Sequence, residues 1–329
     1  MTKPPLEDIT DKLGKLTMKE PYSKVRFLSK QVRAIIDLLR PFTLLAPLIV
    51  SMSIMVASLV YNFKNYHTPI PTDWWITVGQ AGFTVAIVNA ASNALNQATD
   101  VESDKISKPY RPIPRKVIDV ETAQSIAYIL YLFALLRAIT INAWFGFFIF
   151  LIMIFTVTYS LPPRIKKYLF INQIWIAIPR GILGILAAWS VFGNPFTPTP
   201  LTIGAIATTF LIGGMATKDI VDSEADKKTG VYTLINTLGI KKTALICFPF
   251  MFFPYIFIPI FVDYGWLKHY LRPLTFFAIL SIIVLYLMIR KNESETLENI
   301  QAWSIMYVEY IFFALTFSLL TIFSDLLPF

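Results

Sequence analysis

Cysteine and histidine are almost missing from these 329 residues: there is one cysteine, Cys247, and two histidines, His67 and His269. A single cysteine inside an apolar run excludes a disulfide framework, a CxxC redox pair and a thiolate zinc site. Two histidines so far from any acidic cluster leave no imidazole for a nucleophilic triad or for acid–base work. Charge is scarce as well, at 15% of residues against the roughly 25% of a soluble domain, while 55% are hydrophobic and the mean hydropathy is +0.59. No Gly-rich phosphate loop and no zinc-ligand spacing is present. The first 40 residues are polar and basic, without the continuous apolar h-region that a cleaved signal peptide requires. The first apolar span is therefore expected to direct insertion itself.

What the chain has in quantity is apolar runs near the roughly 20 residues that cross a hydrocarbon layer. They predict an all-α, multi-pass membrane protein with about nine spans, near 43–63, 75–95, 122–141, 143–161, 171–192, 200–216, 243–263, 271–289 and 302–324. Residues 1–42 form a basic lead-in and 43–329 a single transmembrane domain. Residues 22–40 read either as an amphipathic helix on the membrane surface or as the cytoplasmic approach to span one. With the N-terminus in the cytoplasm, nearly all of the 29 lysines and arginines fall on that side. Only Lys64, Lys268 and Arg272 lie outside, and Arg137 and Arg180 lie within spans. The C-terminus is then external. The net charge of +8 belongs to the cytoplasmic face and suits anionic lipid headgroups or phosphate-bearing ligands. It does not argue for nucleic acid.

An acidic pattern occurs twice. Asp100, Glu102, Asp104 and Lys105 follow span two as D-x-E-x-D-K, and Asp222, Glu224, Asp226 and Lys227 repeat it after span six. Four spans separate the copies, so both emerge on one side, which suggests two pseudo-repeated halves. On a continuing helix Asn96, Asp100 and Asp104 share one face, as do Asp219, Asp222 and Asp226. Either run alone reads equally well as a solvated loop. Together, two stripes of like charge at a membrane edge call for compensation. A hard divalent cation supplies it, and Mg²⁺ sharing its shell with phosphate oxygens suits such carboxylates. The adjoining Lys105, Lys108, Arg111, Arg115, Lys218, Lys227 and Lys228, with Arg164, Lys166 and Lys167 between the two runs, can neutralise a diphosphate or simply mark the cytoplasmic side. Asn93 and Asn96 at the end of span two and Asn172 at the start of span five point inward. Arg180, in mid-span after Pro179, either reaches an internal polar cavity or snorkels to the surface.

At these residues the chain resembles the UbiA superfamily of intramembrane prenyltransferases. The resemblance rests on Asn96-x3-Asp100-x3-Asp104 followed by KPYRPIP at 108–114, on YSLPP at 159–163 with Arg164 and Lys166 behind it, and on Lys218-Asp-Ile-Val-Asp222-x3-Asp226. It covers nearly everything from about residue 40 onward. The resemblance implies helices around a central cavity, with helical caps on the cytoplasmic side carrying both motifs. It implies an isoprenyl diphosphate held through Mg²⁺, expected as two ions. Carried over, Asn96, Asp100, Asp104, Asp222 and Asp226 are the metal and catalytic set, with Asp219 beside them. Arg111, Lys167 and Lys218 are diphosphate contacts, with Lys166 the alternative to Lys167. Lys108, Arg164, Asn172 and Arg180 complete the candidate substrate-binding group. Gln97 departs from the many relatives that carry Asp there, which puts metal coordination or acceptor activation in question.

The activity so implied is transfer of a prenyl chain, with geranylgeranyl the best fit, to a hydrophobic or amphipathic acceptor in the membrane. The short linker before KPYRPIP resembles both the archaeal-lipid and the chlorophyll branches, PYRPIP leans to the latter and the second motif to the former, and geranylgeranylglyceryl phosphate, in archaeal lipid synthesis, is the preferred acceptor. Chlorophyllide or an aromatic quinone precursor is the alternative. A secondary transporter is the rival from another class, although its carboxylates belong near the bilayer midplane and not at the edge.

Overall fold

The computed structural model describes residues 30–290 and 301–326, and every regular element among them is helical. A short amphipathic helix, α1 (Lys30–Leu39), buries Ala34 and Leu38 and exposes Val32 and Ile35. It accounts for the last part of the surface helix expected over 22–40; residues 22–29 lie outside the described residues. Arg40, in the left-handed region at φ 55°, turns the chain into α2 (Pro41–Tyr66), where a proline at the first helical position costs no hydrogen bond. After α3 (Trp74–Thr99) and the short α4 (Val101–Ser107) come α5 (Val120–Ile141) and α6 (Ala143–Ser160). Asp119 and Asn142 cap α5 and α6, accepting from the Thr122 and Phe145 amides at 2.7 and 2.8 Å.

Among the described residues eight segments are long and apolar enough to cross a bilayer, and they match eight of the nine expected spans. The remaining one, α3, is as long as α2 at 26 residues and packs between α2 and α5. It is less apolar because its last turns carry Asn89, Asn93, Asn96 and Gln97, which meet polar partners inside the bundle. α5 shows how the bundle is built. Ala123, Ala127, Ala134 and Ala138 recur on one buried face and let α3 approach closely, while Ile129, Leu132 and Leu136 on the opposite face are largely exposed. Such an outer surface suits hydrocarbon and not water.

The fifth expected span is two helices, α7 (Ile171–Arg180) and α8 (Ile182–Ser190), broken after Pro179. Gly181 sits at the break because a Cβ there would meet the Thr208 backbone at 2.5 Å, and the Ile182 amide donates to Thr208 Oγ1 at 2.7 Å. Then follow α9 (Pro198–Gly214), a 3₁₀ turn (Met215–Lys218), α10 (Asp219–Lys228) and α11 (Leu234–Leu238). The chain closes with α12 (Ile240–Ile256), α13 (Ile258–Asp263), a 3₁₀ segment (His269–Phe277), α14 (Ala278–Ile289) and α15 (Gln301–Ile322). α10 packs against α4, so the two acidic segments meet over one end of the bundle.

Candidate active site

α3 ends at Thr99, and Asp100 (φ −110°, ψ 20°) separates it from α4. The continuous helix expected from Asn96 to Asp104 is therefore two helices. Register is nevertheless kept, because the Asp104 amide donates to the Asp100 carbonyl at 2.8 Å. Asn96, Asp100 and Asp104 all face a cavity of about 280 Å³, and so do Asp219, Asp222 and Asp226 of α10. The two stripes thus line one mouth.

Each stripe is met by cations. Arg111 Nη1 donates to both oxygens of Asp104, at 2.9 and 2.8 Å, and both side chains are almost wholly buried. Lys108, four residues beyond Asp104, ion-pairs with Asp222 and so ties the first motif to the second. Lys166 and Arg164 pair with Asp100, Arg164 Nη2 at 3.0 Å while also donating to the Thr99 carbonyl at 2.9 Å. Lys218 Nζ lies 2.6 Å from Asp219 Oδ1 and 3.5 Å from the Tyr159 hydroxyl. Burial pushes the Asp104 carboxyl up while Arg111 and Lys108 pull it down. Burial likewise lowers the Lys166 ammonium, with Asp226 opposing it. Both groups are held in a setting where charge interacts strongly and water is sparse.

Two expectations are corrected. Lys167 is exposed and outside the cavity, whereas Lys166 is buried and lines it. The reason is local: the left-handed Arg164 (φ 56°) starts a single 3₁₀ turn (Ile165–Lys167), which turns only one of the adjacent lysines inward. Gln97 also points away from the cavity; it is 1% exposed and its Nε2 donates to the Leu38 carbonyl at 2.7 Å. Its difference from relatives thus bears on how α1 docks. Asn93, unlike Gln97, lines the cavity, and it also holds α1 and the start of α2, donating to the Leu39 carbonyl at 3.0 Å and to Thr43 Oγ1 at 2.8 Å. Of the remaining basic residues, Lys105 and Lys228 pair with Glu102 and Glu224 on exposed surface, and Arg115 and Lys227 do not line the cavity.

Arg180 and Asn172 also line the cavity, as expected. Arg180 has Tyr307, Tyr310, Tyr159 and Arg40 within electrostatic reach. Tyr310 donates its hydroxyl to the Arg180 carbonyl at 2.6 Å. Tyr307 inserts between turns of α2, accepting from the Ala46 amide at 3.0 Å and donating to the Phe42 carbonyl at 3.4 Å. Sequence reasoning assigned no role to Arg40, Tyr307, Tyr310 or Trp175, all of which line the cavity. The only sequence signal for them was position: Arg40 is the last basic residue before span one, and Trp303, Tyr307 and Tyr310 recur at helical spacing in the last.

The donor set at the mouth is all oxygen, as Mg²⁺ prefers. Asp219 Oδ2 is buried without a hydrogen-bond partner, an arrangement that costs free energy unless a ligand satisfies it. Among the described residues no three acidic, histidine or cysteine side chains converge on one point. An ion here must share its shell with water or with oxygens of a substrate, which is usual for Mg²⁺. The residues fit the metal on those terms.

A helical bundle with an interior cavity that opens between two carboxylate stripes and their cations has the make-up of an intramembrane enzyme. Three comparisons place it more closely. The model of the UbiA prenyltransferase family matches residues 65–306. A digeranylgeranylglyceryl phosphate synthase of Sulfolobus acidocaldarius is 30% identical over 198 residues, 58% of this chain and 68% of that one. A probable chloroplastic homogentisate phytyltransferase 2 of Oryza sativa subsp. japonica is 28% identical over 299 residues, 84% of this chain and 76% of that one. In fold the chain is similar to a UbiA homologue from Archaeoglobus fulgidus solved with GPP and Mg²⁺, with a TM-score of 0.66 and 19% identity over 88% of this chain and 99% of that one. This chain belongs to the UbiA prenyltransferase family, and it is a membrane transferase of prenyl groups. The transporter reading gives way to that membership.

Proposed function

We propose that the protein transfers an isoprenyl chain, geranylgeranyl in the best-fitting case, from its diphosphate to geranylgeranylglyceryl phosphate, with the mouth and the N-terminus on the cytoplasmic side. The observation that carries the diphosphate assignment is the pairing of Asp100, Asp104, Asp219 and Asp222 with Lys166, Arg111, Lys218 and Lys108. A metal–diphosphate ligand brings both signs of charge and can satisfy both members of each pair. Asn96, Asp100, Asp104, Asp219, Asp222 and Asp226 would hold Mg²⁺, which offsets the charge gathering on the diphosphate as it leaves. The Archaeoglobus fulgidus homologue of similar fold was solved bound to GPP and Mg²⁺.

In this reading Lys108, Arg111, Lys166 and Lys218 donate charge-assisted hydrogen bonds to the diphosphate, strongest where negative charge accumulates in the transition state. The allylic carbon–oxygen bond breaks and its electron pair leaves with the diphosphate. The carbocation is taken by a lone pair of the acceptor hydroxyl, which forms the ether as its proton passes to the released diphosphate. The apolar walls keep out water that would otherwise capture the cation. Arg40 and Arg180, which line the cavity with Tyr307 and Tyr310, support an acceptor with an anionic head. A second reading, an aromatic acceptor, is supported by the likeness to the rice phytyltransferase.

The test is diphosphate release from geranylgeranyl diphosphate by purified protein with Mg²⁺, across glyceryl phosphate, aromatic and chlorophyllide acceptors, with Asp222→Asn as control. Turnover that needs Mg²⁺ and the glyceryl phosphate acceptor, and is lost in the variant, upholds the proposal. Turnover with an aromatic acceptor alone moves the assignment to the second reading. A folded protein that releases diphosphate with none of them overturns both.

A further inference from the structure

Of the 21 acidic residues, Glu309 alone falls near the middle of a helix apolar enough to cross the bilayer. It is fully buried in α15, it does not line the cavity, and it meets Ser281 of α14. Its surroundings are apolar. The rings of Phe210, Phe277 and Phe313 pack around Tyr255 of α12, and Tyr255 stands within electrostatic reach of the carboxyl. Among the described residues no lysine, arginine or histidine pairs with it. An ionised carboxylate so far from cations and water costs much free energy, and intramembrane carboxyls are for that reason worth a close accounting.

The hydrogen bonds around Glu309 fix where its proton is. Ser281 Oγ lies 2.9 Å from Glu309 Oε1 and 3.1 Å from the Met251 carbonyl oxygen. A serine hydroxyl carries one proton, so it can serve one of those two oxygens, and a backbone carbonyl has no proton to give back. Both short contacts are satisfied together when the carboxyl is protonated: Glu309 donates to Ser281, and Ser281 donates to Met251. The other carboxyl oxygen, Oε2, and the Tyr255 hydroxyl are both buried without a hydrogen-bond partner. In the neutral acid Oε2 is a carbonyl-type acceptor and costs far less to leave buried than half of a negative charge.

α15 carries this chain of hydrogen bonds on one side and cavity residues on another. Tyr307 lies about 160° around the helix from Glu309, inserted between turns of α2, and Tyr310 donates to the Arg180 carbonyl at 2.6 Å. Tyr307 and Tyr310 line the cavity, as do Trp303 and Met306 of the same helix. We infer that Glu309 is a neutral carboxylic acid and a positioning residue, whose hydrogen bonds through Ser281 to Met251 fix the rotation of α15 and thereby the place of Tyr307 and Tyr310 in the wall that receives the acceptor. The acceptor half of this inference rests on the function proposed above. The acidic mouth belongs to α3, α4 and α10, so it does not depend on this tie.

The experiment uses the full chain in detergent as wild type, Glu309→Gln, Glu309→Leu and Ser281→Ala. The infrared difference spectrum of wild type minus Glu309→Gln at neutral pH is expected to show the carbonyl stretch of a protonated carboxylic acid. A carboxylate band in its place overturns the inference. In steady state with Mg²⁺, Glu309→Gln is expected to keep the wild-type constants, because its amide donates to Ser281 as the acid does. Glu309→Leu and Ser281→Ala both cut the chain, and each is expected to raise KM for geranylgeranylglyceryl phosphate by roughly tenfold or more, with kcat and KM for the prenyl diphosphate little changed. If Glu309→Leu fails to fold, Ser281→Ala carries the test. A lower thermal midpoint with every kinetic constant unchanged makes the chain a structural tie and overturns the inference, as does a Glu309→Gln variant that behaves like Glu309→Leu. A wild-type protein that turns over no acceptor removes the proposed function and the acceptor half of the inference with it; the infrared difference needs no turnover and still decides the proton on Glu309.

Discussion

Asp104 and Arg111 share a pair of hydrogen bonds in a place that water hardly reaches, with side chains 5% and 7% exposed. Deleting one member removes the main compensation of the other's buried charge, which costs about 3–5 kcal/mol. Asp222→Ala strands Lys108, whose side chain is as buried as that of Arg111 at 7% exposed, but Asp104 stands close enough to remain a second counter-charge for it. Asp104→Ala is therefore expected to lower the thermal midpoint in detergent clearly more than Asp222→Ala, although both abolish turnover. Equal midpoints would show that the Asp104–Arg111 pair serves the ligand alone. The neighbouring lysines separate in the same way. Lys166→Ala is expected to cut kcat/KM by about 100-fold through loss of a buried charged donor. Lys167→Ala, altering an exposed residue, should stay within about twofold, as surface substitutions usually do. A steady-state comparison of the two variants distinguishes them.

At the scale of the element, two local devices place these residues. The first is the break between α7 and α8. Pro179 removes a backbone donor, Gly181 admits the Thr208 backbone, and Arg180 between them is carried into the cavity. Gly181→Ala forces a methyl group against backbone that cannot rotate away, so α7 and α9 must separate. The expected outcome is a thermal midpoint lower by several degrees and reduced turnover, where Gly79→Ala, with nothing within 4 Å, changes neither. The second device is the seating of α1 on α3 through the amides of Gln97 and Asn93. Gln97→Asp replaces a donor with a buried carboxylate facing the Leu38 carbonyl. The change is expected to destabilise the protein by about 1–3 kcal/mol, without raising its affinity for Mg²⁺. Tighter Mg²⁺ binding, read by titration, would return Gln97 to the metal site.

The described bundle has an apolar outer surface and an apolar core, with a partly polar cavity opening at one end. Its topology is testable through the single cysteine, because Cys247 is buried. In a Cys247→Ala background, Thr68→Cys, in the turn after α2, is expected to react with an impermeant thiol reagent on intact cells. Lys116→Cys, two helices further on at the mouth end, is expected to react only after the membrane is opened. The reverse pattern would put the acidic mouth outside.

The sequence by itself determined the class and much of the site. Hydrocarbon demands long apolar helices, so the spans had to be visible as runs of composition, and charge cannot be hidden in such runs without purpose. Two acidic stripes with the same spacing, an even number of spans apart, therefore already pointed to one shared mouth. Tertiary structure decided what composition and period cannot express. It decided that Lys166 and not Lys167 turns inward, because a single left-handed residue rotates the turn. It decided that Gln97 holds α1, because α1 packs over that face of α3. It also brought Arg40, Tyr307 and Tyr310 together around Arg180, from helices more than 250 residues apart in sequence. Those contacts depend on which helix lies beside which, and a hydrophobic pattern read along one chain carries no record of its neighbours.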